Sequence, residues 1–274
     1  MREVHNGHLR FQVRDQGPLD APVAVLLHGF PERASHWDPV ARRLNAAGVR
    51  TVAPDQRGYS PHARPRTRAS YRMSHLVEDV TTLVREVGGP VHLVGHDWGA
   101  AVAWRTAAEH PTLVSSLTTL CVPHPAAFAR SLLTSSQLVR SWYVLAFQPP
   151  GVVEAAVRLA PGIMTVPLRA SGLDEEGVQR FEEDILASGA LSGGLGWYRA
   201  APLDAFTRTP PVRVPTTHVW CDQEVALSVQ GARLTGSYVE APYELVTLAG
   251  VNHWAPTQAP DAVAAAVLAR ISAA

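Results

Sequence analysis

The chemistry of this 274-residue chain is first indicated by a glycine-flanked segment, Gly95–Gly99, whose central residue is Asp97. The segment follows an apolar, strand-like run and precedes a helical pattern, so it predicts a sharp strand-to-helix turn that exposes the central side chain. A carboxylate of ordinary pKa is ionised at neutral pH and can displace a leaving group at saturated carbon, forming an alkyl ester. Such esters arise from epoxides or alkyl halides. The alternative role for Asp97 is to cap the following helix.

A carboxylate and a histidine follow in the order that such a nucleophile requires. His253 comes after the last predicted strand and is the candidate base, although the chain has 12 histidines and a single histidine is more often structural. The segment after the preceding strand contains two carboxylates, Asp222 and Glu224. We expect Glu224 to orient the imidazole, because its offset from the strand fits better, and Asp222 remains the alternative.

The loop after the strand-like run 23–27 favours an anion-stabilising role. It begins His28-Gly29-Phe30-Pro31. In a strand–turn–helix arrangement of this kind, one backbone N–H comes from this loop and a second from the residue after the nucleophile. We therefore expect the N–H groups of Phe30 and Trp98 to form an oxyanion hole. An ordinary Gly-Pro turn is the alternative.

The elements that must position these residues alternate between short apolar strands and longer helical patterns. This alternation predicts βαβ units and an α/β fold with a mostly parallel, doubly wound sheet covered by helices on both faces. The predicted strands are residues 23–27, 50–53, 92–94, 117–122, 216–221 and 244–249, and the predicted helices are residues 36–47, 73–87, 98–109, 227–234 and 260–271.

The alternation stops after Pro123. Residues 124–209 show helical patterns without a convincing strand and are followed by Pro210-Pro211, a strong helix stop. We therefore expect an α/β core formed by residues 1–123 and 210–274, with residues 124–209 inserted as a helical cap, or lid. Such a lid excludes water and shapes a pocket for a small molecule.

Composition argues against several other classes of function. The formal net charge is zero, with 24 basic and 24 acidic residues, so nothing indicates binding to nucleic acid or to an anionic membrane. Residues 1–17 lack the apolar segment of a signal peptide, and no apolar stretch approaches the length of a transmembrane helix. Cys121 and Cys221 have no metal-ligand spacing and are expected to be buried free thiols, which fits a cytoplasmic location.

These motifs resemble those of the epoxide hydrolases of the α/β-hydrolase superfamily, in particular the soluble, bacterial-type enzymes. The resemblance extends over residues 29–254. The segments that carry it are HGFP (28–31), DQRGYS (55–60), GHDWG (95–99), VPHP (122–125), Tyr143 followed by FQPPG (147–151), and WYR (197–199). The first and third motifs are shared with dehalogenases, so the two tyrosine motifs are the more specific signal.

The resemblance implies that two lid tyrosines, Tyr143 and Tyr198, hydrogen-bond the epoxide oxygen and help to protonate it. Ring opening generates an alkoxide, whose charge phenol O–H groups can meet while remaining protonated at neutral pH. Each tyrosine could instead serve only in lid packing. The other residues expected to bind substrate are His28, Pro31, Trp142, Phe147 and Trp254.

The same resemblance implies a cofactor-independent enzyme without a metal, whose partners are a small-molecule epoxide and water. It leaves open whether the protein is a monomer or a homodimer. Glu224 departs from the family pattern, being one methylene longer than the usual aspartate, which leaves open which carboxylate orients His253. Cys221 stands where the family usually has glycine, and we expect this change to alter only packing.

The main alternative function is that of a haloalkane or fluoroacetate dehalogenase, which would use the same Asp97 and His253. Trp98 could then bind halide through its indole N–H. Phe30 argues against this, because many haloalkane dehalogenases have a polar residue at that position. A non-catalytic ligand receptor on a hydrolase scaffold is a more remote alternative, because all the catalytic roles are filled here.

Overall fold

A mostly parallel β-sheet forms the centre of the molecule. The computed structural model describes residues 2–274, and in that range eight strands form one sheet in the order β1-β2-β4-β3-β5-β6-β7-β8. The strands from β3 to β8 run parallel, while β2 is antiparallel to both β1 and β4. The strands are β1 (Arg2–Asn6), β2 (Leu9–Gln16), β3 (Val23–Leu27), β4 (Arg50–Pro54), β5 (Val91–His96), β6 (Val114–Leu120), β7 (Thr216–Cys221) and β8 (Tyr243–Leu248). The predicted α/β class is confirmed.

Helices cover both faces of the sheet, which explains why its central strands are apolar throughout. Side chains of successive residues of β3 pack into two hydrophobic cores on opposite faces of the sheet. Val25 and Leu27 pack with helices α2 (Met73–Glu86) and α3 (Trp98–Glu109). The intervening residues, Ala24 and Leu26, pack with α1 (Asp38–Ala46) and α13 (Pro260–Ser272). A strand buried on both faces has no polar side to reveal its period of two. Two further helices of the core are α11 (Val229–Thr235) and α12 (Ala255–Gln258).

An amino-terminal hairpin adds two strands that the sequence analysis did not predict. Strands β1 and β2 pair antiparallel around Gly7, whose φ is 59°. Leu9, Phe11 and Val13 of β2 are buried, and the residues between them are polar. The predicted core range 1–123 and the expectation for residues 1–17 include Met1, which lies outside the described residues.

The end of β6 differs from the prediction. We expected a strand over residues 117–122, whereas the observed strand is Val114–Leu120. Cys121 follows with a φ of 64°, a left-handed conformation that an extended strand cannot accommodate.

Helices fill the chain between β6 and β7. We call residues 125–204 the inserted segment; its helices are α4 (Pro125–Thr134), α5 (Gln137–Arg140), α6 (Trp142–Ala146), α7 (Val152–Leu159), α8 (Gly162–Ala170), α9 (Glu175–Arg180), a π-helical turn (Phe181–Ala187), α10 (Leu191–Ala200) and a 3₁₀ turn (Ala201–Asp204). Polar contacts tie the segment to the core. Arg72 Nε donates to Asp204 at 3.0 Å, and Arg64 Nη1 donates to the Ser188 carbonyl at 2.6 Å. Across the described residues, no helix combines the length and apolar character needed to span a membrane.

Candidate active site

Asp97 lies on the sharp turn between β5 and α3. Its φ of 51° and ψ of −125° are unusual for a residue with a side chain and place strain at this position. The flanking glycines permit the turn because there is no room for a Cβ. A Cβ on Gly95 would lie 2.7 Å from Ala100 N, and one on Gly99 would overlap the carbonyl of Leu27. The strained turn therefore presents the carboxylate at the carboxyl edge of the sheet.

Two backbone N–H groups stabilise the Asp97 carboxylate. The Phe30 N–H donates to Oδ1 at 2.8 Å. Burial raises the pKa of Asp97, while His253 and the N–H groups of Trp98 and Phe30 act in the opposite direction, and the net pKa is raised. The two N–H groups predicted to form an oxyanion hole thus both lie against this side chain.

A buried hydrogen bond joins His253 to Glu224. His253 Nδ1 lies 2.6 Å from Glu224 Oε2, and His253 Nε2 lies 3.7 Å from Asp97 Oδ2. Burial alone would lower the pKa of His253, but the charges of Glu224 and Asp97 raise it to about 9. Burial would raise the pKa of Glu224, yet His253 and the N–H groups of Ala226 and Leu227 hold it below its usual value. The imidazole therefore lies between two carboxylates, one on each side.

The two candidate acids occupy different environments. Glu224 is buried, and its second oxygen, Oε1, accepts from the Ala226 N–H at 2.7 Å. Asp222 is exposed, and its Oδ1 accepts from the Gly250 N–H at 2.8 Å. The structure thus brings Glu224, and not Asp222, to His253.

The two tyrosines of the inserted segment converge near Asp97. Their ring centroids lie 6.0 Å apart, and Phe147 stands edge-on to both, at 5.8 Å from Tyr143 and 5.1 Å from Tyr198. Burial, followed by the charge of Asp97, raises the pKa of both tyrosines, so both phenols are protonated at neutral pH. Phe30 and Trp98 contribute further edge-on contacts with Tyr198, at 5.3 and 5.1 Å.

Comparisons with known proteins agree with this geometry. The model of the alpha/beta hydrolase family matches residues 24–266. The chain belongs to the α/β hydrolase family. It is 31% identical over 268 residues to an AB hydrolase superfamily protein of Bacillus subtilis, covering 95% of this chain and 93% of that protein. It is 30% identical over 276 residues to epoxide hydrolase 4 of Homo sapiens, covering 95% of this chain and 75% of the human protein.

A solved structure shows the same relationship in three dimensions. It is described as one of the novel epoxide hydrolases belonging to the alpha/beta hydrolases superfamily in metagenomes from hot environments. The TM-score is 0.88 at 30% identity, with 98% of this chain and 97% of that chain covered. The chain thus lies in the branch of the α/β hydrolase family that contains epoxide hydrolases, and the resemblance inferred from its motifs is confirmed.

Three other residues expected to bind substrate in this α/β hydrolase are buried near the site. His28 stabilises the loop that contains Phe30: its Nδ1 lies 3.0 Å from the Gly29 carbonyl, and its Nε2 accepts from the Gln56 N–H at 3.1 Å. Burial lowers the pKa of His28 to about 4, so the ring is neutral. Pro31 is buried in the same loop. The Trp254 ring stands edge-on to His253 at 5.1 Å.

Trp142 lies on the surface of the molecule. We expected it to bind substrate, but its side chain is 68% exposed. The reason lies in helix geometry, because successive residues of a helix point about 100° apart. Since Tyr143 of α6 faces inward, its neighbour Trp142 points in a different direction, and its role in binding substrate stays a prediction.

Two residues that support the loop containing Phe30 were not predicted from the sequence as parts of the candidate site. The Asp55 carboxylate accepts from the Ala34 N–H at 2.9 Å and also pairs with Arg33. Gln56 Nε2 donates to the His28 carbonyl at 2.5 Å. Both lie in the DQRGYS segment, and this motif could have indicated their importance. Their contacts could not be predicted, because they depend on the tertiary fold.

One cluster brings possible metal ligands together. Among residues 2–274, the ligand atoms of His96, Cys121 and His253 lie within 4.8 Å of one another. His96 Nε2 lies 2.8 Å from the His253 carbonyl, and His253 Nδ1 is bound to Glu224. Catalytic metal sites keep a position open for water or substrate, which these packed and already bonded side chains do not offer. The expectation of a metal-free enzyme stays a prediction.

Proposed function

We propose that this protein converts an epoxide to a vicinal diol through a covalent hydroxyalkyl ester on Asp97. The observation that supports the proposal most directly is the convergence of two protonated tyrosines, Tyr198 buried and Tyr143 half-buried, near the carboxylate of Asp97. The similarity to proteins named as epoxide hydrolases supports it. The partners that we propose are a small-molecule epoxide and water.

In the first half-reaction, Asp97 attacks the less hindered carbon of the epoxide. Phe30 N–H holds one carboxylate oxygen at 2.8 Å, which leaves the other free to form the new C–O bond. As the ring C–O bond breaks, the Tyr143 and Tyr198 hydroxyls donate to the departing oxygen, which remains on the substrate and takes a proton from one of these two phenols. The product of this step is an ester.

In the second half-reaction, His253 takes a proton from water, which attacks the ester carbonyl. The N–H groups of Phe30 and Trp98 stabilise the developing oxyanion, and Glu224 stabilises the imidazolium. The tetrahedral intermediate then collapses: the bond to the substrate oxygen breaks, and the diol leaves with the proton held by the imidazolium. The remaining proton on the Asp97 carboxyl group returns to the ionised tyrosine, which restores the resting enzyme. Esterified Asp97 is neutral, so one of the charges that raise the pKa of His253 is gone. The imidazole therefore becomes a free base more easily at the step that needs a base.

The tyrosines also discriminate between an epoxide and the alternative, an alkyl halide. Both reactions pass through an ester on Asp97, so the nucleophile turn does not distinguish them. Halide leaves as a stable anion that needs only weak donors, whereas an alkoxide needs strong ones. Two O–H donors beside Asp97 therefore favour the epoxide.

The test compares the two substrate classes on one set of variants. Styrene oxide, an aliphatic epoxide and a short haloalkane are assayed with the wild type, Tyr143→Phe, Tyr198→Phe and the double variant. Each single change should slow diol formation by about 10²-fold, on the scale of a lost oxyanion donor, and the double variant should leave Asp97 unalkylated. Wild-type epoxide turnover by the double variant, or halide release faster than diol formation by the wild type, would favour the dehalogenase.

A further inference from the structure

The two tyrosines are held by helices of very different character. Tyr198 lies on α10, a ten-residue helix in which nine residues are buried. Tyr143 lies on α6, which has five residues, none of them fully buried. A helix this short is not stable by itself, and only two of its residues, the half-buried Tyr143 and Val144, pack against the hydrophobic core. Other contacts must therefore fix Tyr143 relative to Tyr198.

Arg199, the residue after Tyr198, reaches across to the chain that follows α6. Its Nε donates to the Phe147 carbonyl at 3.1 Å, and its Nη2 donates to the Pro149 carbonyl at 3.3 Å. Only 8% of Arg199 is exposed. The planar guanidinium can form several such bonds at once in a fixed geometry, which an ammonium group cannot do.

Glu154 on α7 holds this guanidinium in place. Its two carboxylate oxygens accept from Arg199 Nη1 at 2.8 Å and Nη2 at 2.9 Å. Burial alone would raise the pKa of Glu154, but the hydrogen bonds from Arg199, from its own backbone N–H and from Ser192, together with the charge of Arg199, lower the pKa below its usual value. The pair is therefore charged and bidentate, the stronger form of such an interaction.

Gln148 makes a second connection between the two helices. Its Nε2 donates to the Tyr198 carbonyl at 2.9 Å and to the Val144 carbonyl at 3.0 Å. Arg68 of the core donates to Gln148 Oε1 at 3.3 Å and also to the Arg199 carbonyl. One amide group thus joins the backbones of α6 and α10.

We propose that Arg199 and Gln148 are positioning residues that set the separation and orientation of the two tyrosine hydroxyls at Asp97. We call these two residues, with Glu154, the tyrosine clamp. The inference rests on the proposed function, because it assumes that both hydroxyls act in ring opening. Ester hydrolysis uses His253, Glu224 and backbone groups of the core, so loss of the clamp should slow only alkylation.

The two half-reactions can be measured separately. In a His253→Gln background the ester accumulates, so the gain in intact mass after addition of styrene oxide reports alkylation alone. Arg199→Met should slow this step by about 10-fold to 100-fold, the range expected from small misplacements of catalytic groups. With His253 present, decay of preformed ester should be unchanged. Arg199→Lys keeps a charge for Glu154 but loses the planar fork, so its alkylation rate should be intermediate.

The chain offers a matched control and a second variant. Arg169 forms an equivalent bidentate pair with Glu175, at 2.7 and 2.8 Å, but both side chains are on the surface of the inserted segment. Arg169→Met should therefore leave both half-reactions unchanged. Gln148→Met, which removes the amide at similar volume, should slow alkylation even if Arg199→Met does not fold.

The possible results separate the clamp from the function on which it rests. Slow alkylation in folded Tyr143→Phe and Tyr198→Phe, with normal alkylation in folded clamp variants, would overturn the clamp and leave the function standing. Normal alkylation in the tyrosine variants would overturn the function itself and the clamp with it. Equal slowing of both half-reactions by Arg199→Met and Gln148→Met would show a general structural effect and would also overturn the clamp.

Discussion

The environments of Glu224 and Asp222 lead to opposite expectations for two similar substitutions. Glu224→Gln keeps the shape of the group that contacts His253 at 2.6 Å but removes its charge. The amide cannot stabilise the imidazolium, so ester hydrolysis should slow by about 10³-fold or more while alkylation changes far less. Asp222→Asn should have little effect on either step. Rapid-quench mass measurements of the ester check both, and a larger effect from Asp222→Asn would reverse the assignment.

The two carboxylates beside His253 also predict a pH dependence. In the resting enzyme the pKa of His253 is about 9, because Glu224 and Asp97 together outweigh the effect of burial. Esterification removes the charge of Asp97, so the pKa must fall. Ester hydrolysis needs the neutral imidazole; its rate should rise with pH and level off below pH 9. Single-turnover measurements from about pH 6 to about pH 10 check this, and a plateau reached only above pH 9 would contradict it.

The order of strands in the sequence predicted one group of the proposed site residues, whereas Tyr143 and Tyr198 were predicted from the resemblance of their motifs. Asp97, His253 and the N–H donors Phe30 and Trp98 all follow strand ends, which parallel strands bring to one edge of the sheet. The exposure of Trp142 was not predicted, because the inward direction of a short helix cannot be inferred from a motif. The partners of Arg199 could not be predicted either, because they depend on how separate helices of the inserted segment pack.

At the scale of elements, glycines allow α10 to approach the core closely. A Cβ on Gly193 would overlap the backbone of Gly58, and a Cβ on Gly194 would lie 2.8 Å from the Phe30 ring. Glycine in a helix costs about 1 kcal/mol relative to alanine, so the close approach offsets a real penalty. It brings the helix that carries Tyr198 against the loop that contains Phe30.

This contact makes Gly193→Ala destabilising, contrary to helix propensity. The added methyl group must displace α10 or the Gly58 loop, so the free energy of unfolding should fall by about 1–3 kcal/mol. Alkylation should slow as well, because Tyr198 moves with the helix. Gly162 of α8 is the control, since the nearest atom to its Cβ would be 4.0 Å away. Urea unfolding should show no loss of stability in Gly162→Ala, and an equally stable Gly193→Ala would refute the packing argument.

The amino-terminal hairpin is the part of the sheet that the sequence analysis did not predict. In β2, Leu9, Phe11 and Val13 alternate with polar residues, which is the pattern of a half-buried antiparallel strand. The sequence analysis identified strands by continuous apolar runs, which are typical of strands covered on both faces. An alternating strand such as β2 contains no such run. The two-residue turn between β1 and β2, Gly7-His8, has glycine at its first position, which is a hairpin signal that could have revealed it.

Over the whole molecule, the two proposed half-reactions depend on different parts of the chain. The nucleophile, the base, the acid and the N–H donors belong to the α/β core, while both tyrosines belong to the inserted segment. The sequence predicted this division because strand patterns stop after Pro123 and return at Thr216. It could not predict how the segment lies on the core, which depends on contacts such as Arg72 with Asp204.

The central claim is that Asp97 forms a covalent ester, and the fate of solvent oxygen tests it most directly. A single turnover of epoxide is run with excess enzyme in water labelled with heavy oxygen, and the diol and the Asp97 peptide are analysed by mass spectrometry. If water attacks the ester carbonyl, the label enters the Asp97 carboxylate, and the first diol contains only unlabelled oxygen. A first-turnover diol that carries solvent oxygen, with Asp97 unlabelled, would contradict the account.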